Sequence, residues 1–199
     1  MEQNSPNAQP PQESGLGDLS NLDPNGIDSL VKKFRKKPLF QVDELPISFN
    51  YGPEDIESII PHRSPLRLVD RLVGFDLSLG RIAGERYMDP KDPVFEGHFP
   101  DVPLYPGTLS VEAIGQLGLC MYYFLTKNTT SLGDDAHPVT VRATKIASSY
   151  FLQPIPAGAT VQILAQRMSF DGYFASIIGQ VLVDGKVAVV TTGEVMILD

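Results

Sequence analysis

The segment Phe95-Glu96-Gly97-His98-Phe99-Pro100-Asp101-Val102-Pro103-Leu104-Tyr105-Pro106-Gly107 runs straight into Thr108-Leu109-Ser110-Val111-Glu112-Ala113-Ile114-Gly115-Gln116-Leu117-Gly118-Leu119-Cys120-Met121-Tyr122-Tyr123-Phe124-Leu125. Residues 108–125 are apolar nearly all the way round, the pattern of a helix inside a core and not on a surface. Interrupted by Ser110, Glu112 and Gln116, the stretch is also short for a membrane span. Gly115 and Gly118 weaken a helix, so close approach of another backbone is expected there. Glu112 is the anomaly. A carboxylate is rarely buried alone, because desolvating its charge costs more than a hydrogen bond returns. One turn into a core helix, it is expected to be neutral, partnered or reactive.

The preceding loop carries Pro100, Pro103 and Pro106, then Gly107. Proline fixes φ and glycine permits close approach, so the loop is stiff and ends tightly at a helix start. Thr108 is the expected N-cap. The N–H groups there, Gly107 among them, suit a carbonyl oxygen that gains negative charge. His98 stands at the front of the same loop. An imidazole, a carboxyl group and a helix N-terminus are the parts needed to remove a proton next to a thioester and expel a β-hydroxyl.

Several motifs in order carry a resemblance. They are Pro61-His62-Arg63-Ser64-Pro65-Leu66-Arg67-Leu68-Val69-Asp70-Arg71, Gly97-His98-Phe99-Pro100, Pro106-Gly107 and Glu112-Ala113-Ile114-Gly115-Gln116. Over about residues 54–199 the chain resembles the β-hydroxyacyl-acyl-carrier-protein dehydratases of the hotdog fold. The family histidine falls on His98 and its acid on Glu112. Glu in place of Asp matches the branch that only dehydrates. Asp101, Leu104-Tyr105 and Gly115 depart from the usual family residues, which bears on acyl chain length and not on reaction class.

The resemblance implies an α+β hotdog fold and dehydration of β-hydroxyacyl thioesters to trans-2-enoyl thioesters in fatty-acid or polyketide-type synthesis. The substrate would be carried on the phosphopantetheine of an acyl carrier protein. His98 would take the α-proton as general base. Glu112, kept partly protonated by its apolar helix, would protonate the leaving hydroxyl. Gly107 N–H would polarise the thioester carbonyl, and Gln116, one turn beyond Glu112, would orient it or a water. Tyr105 would either line the mouth of the acyl tunnel or pack on the loop. No metal or organic cofactor is expected, because the thioester already acidifies the α-carbon. A homodimer with shared active sites is implied, or a trimer of such dimers. His62, in the Pro-His-Arg segment, is expected to be structural. Two other classes fit parts of the pattern: a hotdog thioesterase, and a non-catalytic acyl-carrier-binding protein.

Outward from this centre, the 199 residues read as one domain with an appendage. The division expected is a disordered tail over 1–26, a basic helical or linker extension over 27–50, and the hotdog domain over 51–199. Hydrophobic residues at 42% and charged residues at 20% suit a soluble domain with a core. A net charge of −8 argues against nucleic acid, and equally means that an acidic carrier needs a local basic patch to approach. The single cysteine, Cys120, fits a reducing, cytoplasmic setting and reads as core packing. Residues 1–26 lack the basic start and apolar run of a signal peptide.

Residues 27–40 place Ile27, Leu30, Val31 and Phe34 at helical spacing, with five basic residues between Lys32 and Lys37. Three readings stand: a solvated helix or tether, a docking element for an acidic carrier, and a membrane-surface element. A short helix is expected over 53–60, strands over 66–75 and 81–88, and an antiparallel meander over 139–151, 159–170, 173–183 and 186–198. Asp171-Gly172 and Asp184-Gly185 are its hairpin signals. His137 reads as an exposed loop residue.

Overall fold

The computed structural model describes residues 24–198. The tail expected over 1–26 therefore lies almost wholly outside the described residues. Its end, from Pro24, already belongs to helix α1 (Pro24–Phe34). Helices α2 (Pro53–Ile59), α3 (Val94–Gly97) and α4 (Gly107–Lys127) follow. The strands are β1 (Ile47–Tyr51), β2 (Arg71–Asp76), β3 (Arg81–Tyr87), β4 (Val141–Phe151), β5 (Thr160–Phe170), β6 (Phe174–Val183) and β7 (Lys186–Ile197). They form one antiparallel sheet in the order β1-β2-β3-β5-β6-β7-β4. A seven-stranded antiparallel sheet around one long helix is the hotdog fold.

The hairpin β6–β7 closes as its Asp-Gly signal requires. Asp184 and Gly185 both have positive φ, 49° and 72°, which matches the twist of the flanking strands. The expected meander needs correction at β4. Only β5, β6 and β7 follow one another; β4 crosses to the far edge beside β7, and β5 pairs instead with β3, Arg81 opposite Gln166. Pro154 and Pro156 explain this, since they prevent a tight hairpin from β4 into β5. Strand β1, in a stretch read as linker, pairs with β2 through a register shift between Ser48 and Tyr51.

Helix α4 lies on the inner face of the sheet. Ile114, Leu117, Cys120, Met121 and Phe124 are buried against residues that include Phe75, Ile82 and Ile163. Each such side chain contributes roughly 1.5–3 kcal/mol. The helix is not covered all round, as its composition had implied: Thr108, Glu112 and Gly115 form an exposed stripe. Close approach is also placed differently. A Cβ at Gly179 of β6 would collide with the Ile114 side chain, so a sheet glycine lets the helix in. At Gly118 the tight neighbour is the Ile177 side chain, and at Gly115 nothing lies within 4 Å of such a Cβ.

The outer face is covered by the chain before β1. Leu30, Val31, Phe34, Leu39 and Phe40 pack on Leu164, Met168, Ile178, Leu182, Val187 and Val190. Buried Gln180 of β6 fastens this layer. Its Oε1 accepts from Leu39 N at 2.8 Å, and its Nε2 donates to the Phe34 carbonyl at 2.6 Å and the Lys37 carbonyl at 3.0 Å. The segment is thus a packed layer and not a solvated tether.

Candidate active site

His98 sits at the C-terminal end of α3, where its N–H closes the turn onto the Val94 carbonyl. The loop folds back so that Leu104 N–H donates to the His98 carbonyl at 2.9 Å. The ring is held within the same loop: Nδ1 lies 2.9 Å from the Leu104 carbonyl oxygen. A carbonyl can only accept, so Nδ1 carries the proton in this bond. In the neutral ring Nε2 then keeps its lone pair, the state a base requires.

Helix α4 begins at Gly107 with Pro106 as N-cap, two residues before the expected Thr108 cap. Proline has the fixed φ and no side-chain acceptor, so no side chain caps this end. The ladder starts with Leu109 and Ser110 N–H groups on the Pro106 carbonyl, leaving those of Gly107 and Thr108 ahead of it. A Cβ at Gly107 would run into the Phe151 ring, so any larger residue there needs that ring to shift. His98, Gly107 and Phe151 line one cleft together with Leu152 and Gln153.

Glu112 is not in that cleft. It lies on the exposed stripe of α4, its side chain 48% accessible, which corrects the expectation of a carboxyl desolvated by an apolar helix. It is partnered instead. Gln116 Nε2 donates to its Oε1 at 2.9 Å, and His62 Nε2 lies 3.3 Å from the same oxygen. Gln116 is itself almost wholly buried and tied on both sides, accepting from Leu68 N at 2.7 Å and donating to the Leu66 carbonyl at 2.8 Å. The Pro-His-Arg-Ser-Pro-Leu motif is therefore pinned to α4 beside the acid. His62 was expected to be structural, and its contact with Glu112 was missed. The helical one-turn spacing that signals Gln116 has no counterpart for a residue 50 positions upstream.

Two further clefts meet at Glu112. An apolar one between α4 and the sheet is lined by Val111, Gly115, Leu119, Ile146 and Ile177. The other holds His62, Gln116 and Val139. Gly115 and Glu112 face both.

Tyr105 is packed on the loop and also lines the cleft of His98 and Gly107. It is 4% exposed, its ring 6.1 Å from that of Phe95, with the Arg86 guanidinium 5.5 Å over it. Burial pushes its phenol up to about 12. Among the described residues its hydroxyl has no hydrogen-bond partner. Cys120 is buried in the core and its thiol is likewise pushed up to about 12 by desolvation, as a packing residue would be. His137 is exposed. Among the described residues no group of three or more His, Cys, Asp or Glu could hold a metal ion, and no helix is long and apolar enough to cross a membrane.

Fold and site meet in comparison with known proteins. The model of the FabA-like domain matches residues 60–192. A protein of Xanthomonas campestris pv. campestris (strain B100), the 3-hydroxyacyl-[acyl-carrier-protein] dehydratase FabZ, is 32% identical over 153 residues, 77% of this chain and 92% of its own length. The FabZ of Xanthomonas euvesicatoria is 32% identical over 155 residues. Among solved structures, the dehydratase heterocomplex ApeI:P of Xenorhabdus doucetiae superposes with a TM-score of 0.59 at 13% identity, covering 75% of this chain and 93% of that one. The chain belongs to the FabA-like dehydratase family.

Proposed function

We propose that the protein removes water from β-hydroxyacyl thioesters borne by an acyl carrier protein, giving trans-2-enoyl thioesters in fatty-acid or polyketide-type synthesis. The observation that carries the reading is the His98 ring, held by Nδ1 on the Leu104 carbonyl at the cleft that also holds the start of α4. Nε2 takes the α-proton. The Gly107 N–H, ahead of the helix ladder and at its positive end, stabilises the oxygen of the forming enolate. The electron pair then expels the β-hydroxyl, which takes its proton from Glu112 in its carboxylic acid form, the form that enclosure by a second chain favours. Gln116 orients the Glu112 carboxyl. The thioester supplies the needed acidity, so the reaction requires neither metal nor organic cofactor.

His98 and Glu112 line different clefts of one chain, and we propose that two chains complete the site. Strand β4 supports this reading. Among the described residues it pairs only with β7, and residues 142–147 are exposed along it, Ile146 to 63%. A bare edge strand with exposed apolar groups invites another strand. A two-fold pairing of β4 edges repeats each contact, so it covers two Glu112 stripes and builds two sites.

Incubation with β-hydroxyacyl thioesters of several lengths, followed by enoyl absorbance, tests the reaction. Enoyl product is expected. Free acid would make the protein a thioesterase, and binding without turnover would make it a carrier-binding protein.

A further inference from the structure

Resting on the dehydratase reading, we propose that the basic face at the end of α1, with Lys32, Arg35 and Lys36 at its centre, is the docking surface for the acidic carrier that delivers the thioester. Overall the chain repels such a partner, with 24 acidic against 16 basic residues. Residues 32–37 are the local exception, five cations in six positions with no acid among them. An acidic surface is steered to such a concentration of charge even when the total is of like sign.

Position is the second argument. Lys32, Arg35 and Lys36 line a groove with Leu152, Gln153 and Val187. Leu152 and Gln153 also line the cleft of His98 and Gly107. The cations therefore stand at the rim of the catalytic cleft. A carrier seated there meets them with its carboxylates and with the phosphodiester at the root of its acyl arm, while the arm passes Leu152 and Gln153 towards His98.

Rigidity is the third. The Arg35 guanidinium lies 4.2 Å over the Tyr150 ring, and the Lys33 and Lys37 ammonium groups lie 5.3 and 5.7 Å from the Phe34 ring. Gln180 holds the carbonyls of Phe34 and Lys37. The charges are presented by a fixed element, so little order has to be imposed on binding. Because the family match begins at residue 60, this surface is supplied by the chain's own extension.

The test uses the full chain and the double variant Lys32→Glu/Lys36→Glu, which changes exposed residues and spares Arg35 on Tyr150. Rates are compared for one β-hydroxyacyl group on a phosphopantetheinylated carrier and on N-acetylcysteamine. At low salt, kcat/KM on the carrier is expected to fall about tenfold or more, a gap that shrinks as salt rises, with the small thioester unchanged. Lys91→Glu/Lys127→Glu, which changes the net charge equally at other exposed positions, is expected to leave both rates within about twofold.

An equal fall on both substrates, or an equal fall in the control variant, overturns the proposal. So does unchanged carrier kinetics, whether or not the variant loses binding to phosphatidylserine vesicles, a loss that would assign the patch to membranes. If the unaltered protein turns over neither substrate, the dehydratase reading has failed. Calorimetric titration with the carrier then decides the docking surface alone: weaker binding by the variant supports it, and equal binding overturns it.

Discussion

His98 and Glu112 are held in opposite ways. The histidine is fixed by its own neighbourhood: the ring leans on the carbonyl six residues later, and the backbone closes the same loop at Leu104 N–H. The carboxyl group is fixed from a distance, by Gln116 one turn along α4 and by His62 from a segment 50 residues earlier. The first half needs only a stiff loop to be correct. The second needs the loop at Leu66–Leu68 to be docked on the helix, and in one chain it still faces solvent. The imidazole is thus held by its own loop, whereas the carboxyl group is oriented by distant residues and left open to solvent in one chain, where the proposed reading has a second chain enclose it.

Removal of either group has the largest expected effect. His98→Ala and Glu112→Gln are each expected to lower the rate of enoyl formation by about 10²–10⁴-fold. Thermal midpoints should remain near that of the parent, because neither side chain is buried. Retention of more than a few per cent of the rate by either variant would overturn the assigned roles.

Mixing the two inactive variants tests how the two groups are shared between chains. If each site takes its histidine from one chain and its acid from the other, a mixed dimer has one doubly defective site and one intact site. Random pairing makes about half the dimers mixed, so roughly a quarter of the parental activity should return. No return, with subunit exchange verified by mass, would place both residues of a site in one chain.

The supports of Glu112 come next. Gln116→Leu strips Leu68 N–H and the Leu66 carbonyl of their partner, and should cost about 1–3 kcal/mol of stability. Its effect on kcat should exceed its effect on KM. His62→Ala removes a half-exposed contact and should lower kcat only about threefold to tenfold, with His62→Gln restoring part of it. Equal losses at His62 and Glu112 would make His62 a member of the reacting set.

The smallest effect is expected at Tyr105, in the half built by the loop. Tyr105→Phe leaves the ring packed and removes a buried hydroxyl without a partner among the described residues, so neutral-pH stability should hold or rise by about 1 kcal/mol. The folded state holds this phenol proton to about 12, whereas the unfolded chain releases it near 10. Stability contributed by the raised phenol is complete below about pH 10 and lost as pH rises through about 12. The Phe variant should therefore outlast the parent in that window in denaturant titrations. A difference that does not grow with pH would refute the buried-phenol account.

Local pattern carried a large share of this molecule. The long apolar run with its Pro-Gly entry became α4, the Asp184-Gly185 pair became a tight hairpin, and the basic amphipathic segment became α1, because each depends on residues within a turn or two of one another. The contact of Gln116 with Glu112 was legible for the same reason, since one helical turn separates them. What pattern could not reach was pairing and solvent. Strand β4 joins β7 and not β5, a choice made by prolines that forbid a hairpin and by a β5 edge already taken by β3. Ile27, Leu30, Val31 and Phe34 show helical spacing whether they meet solvent or a sheet, and only packing on Leu164, Ile178 and Val190 distinguishes the two. Glu112 was read as enclosed because its neighbours in sequence are apolar. It is exposed because burial is set by what lies across from a side chain, and among the described residues that stripe of α4 borders open clefts.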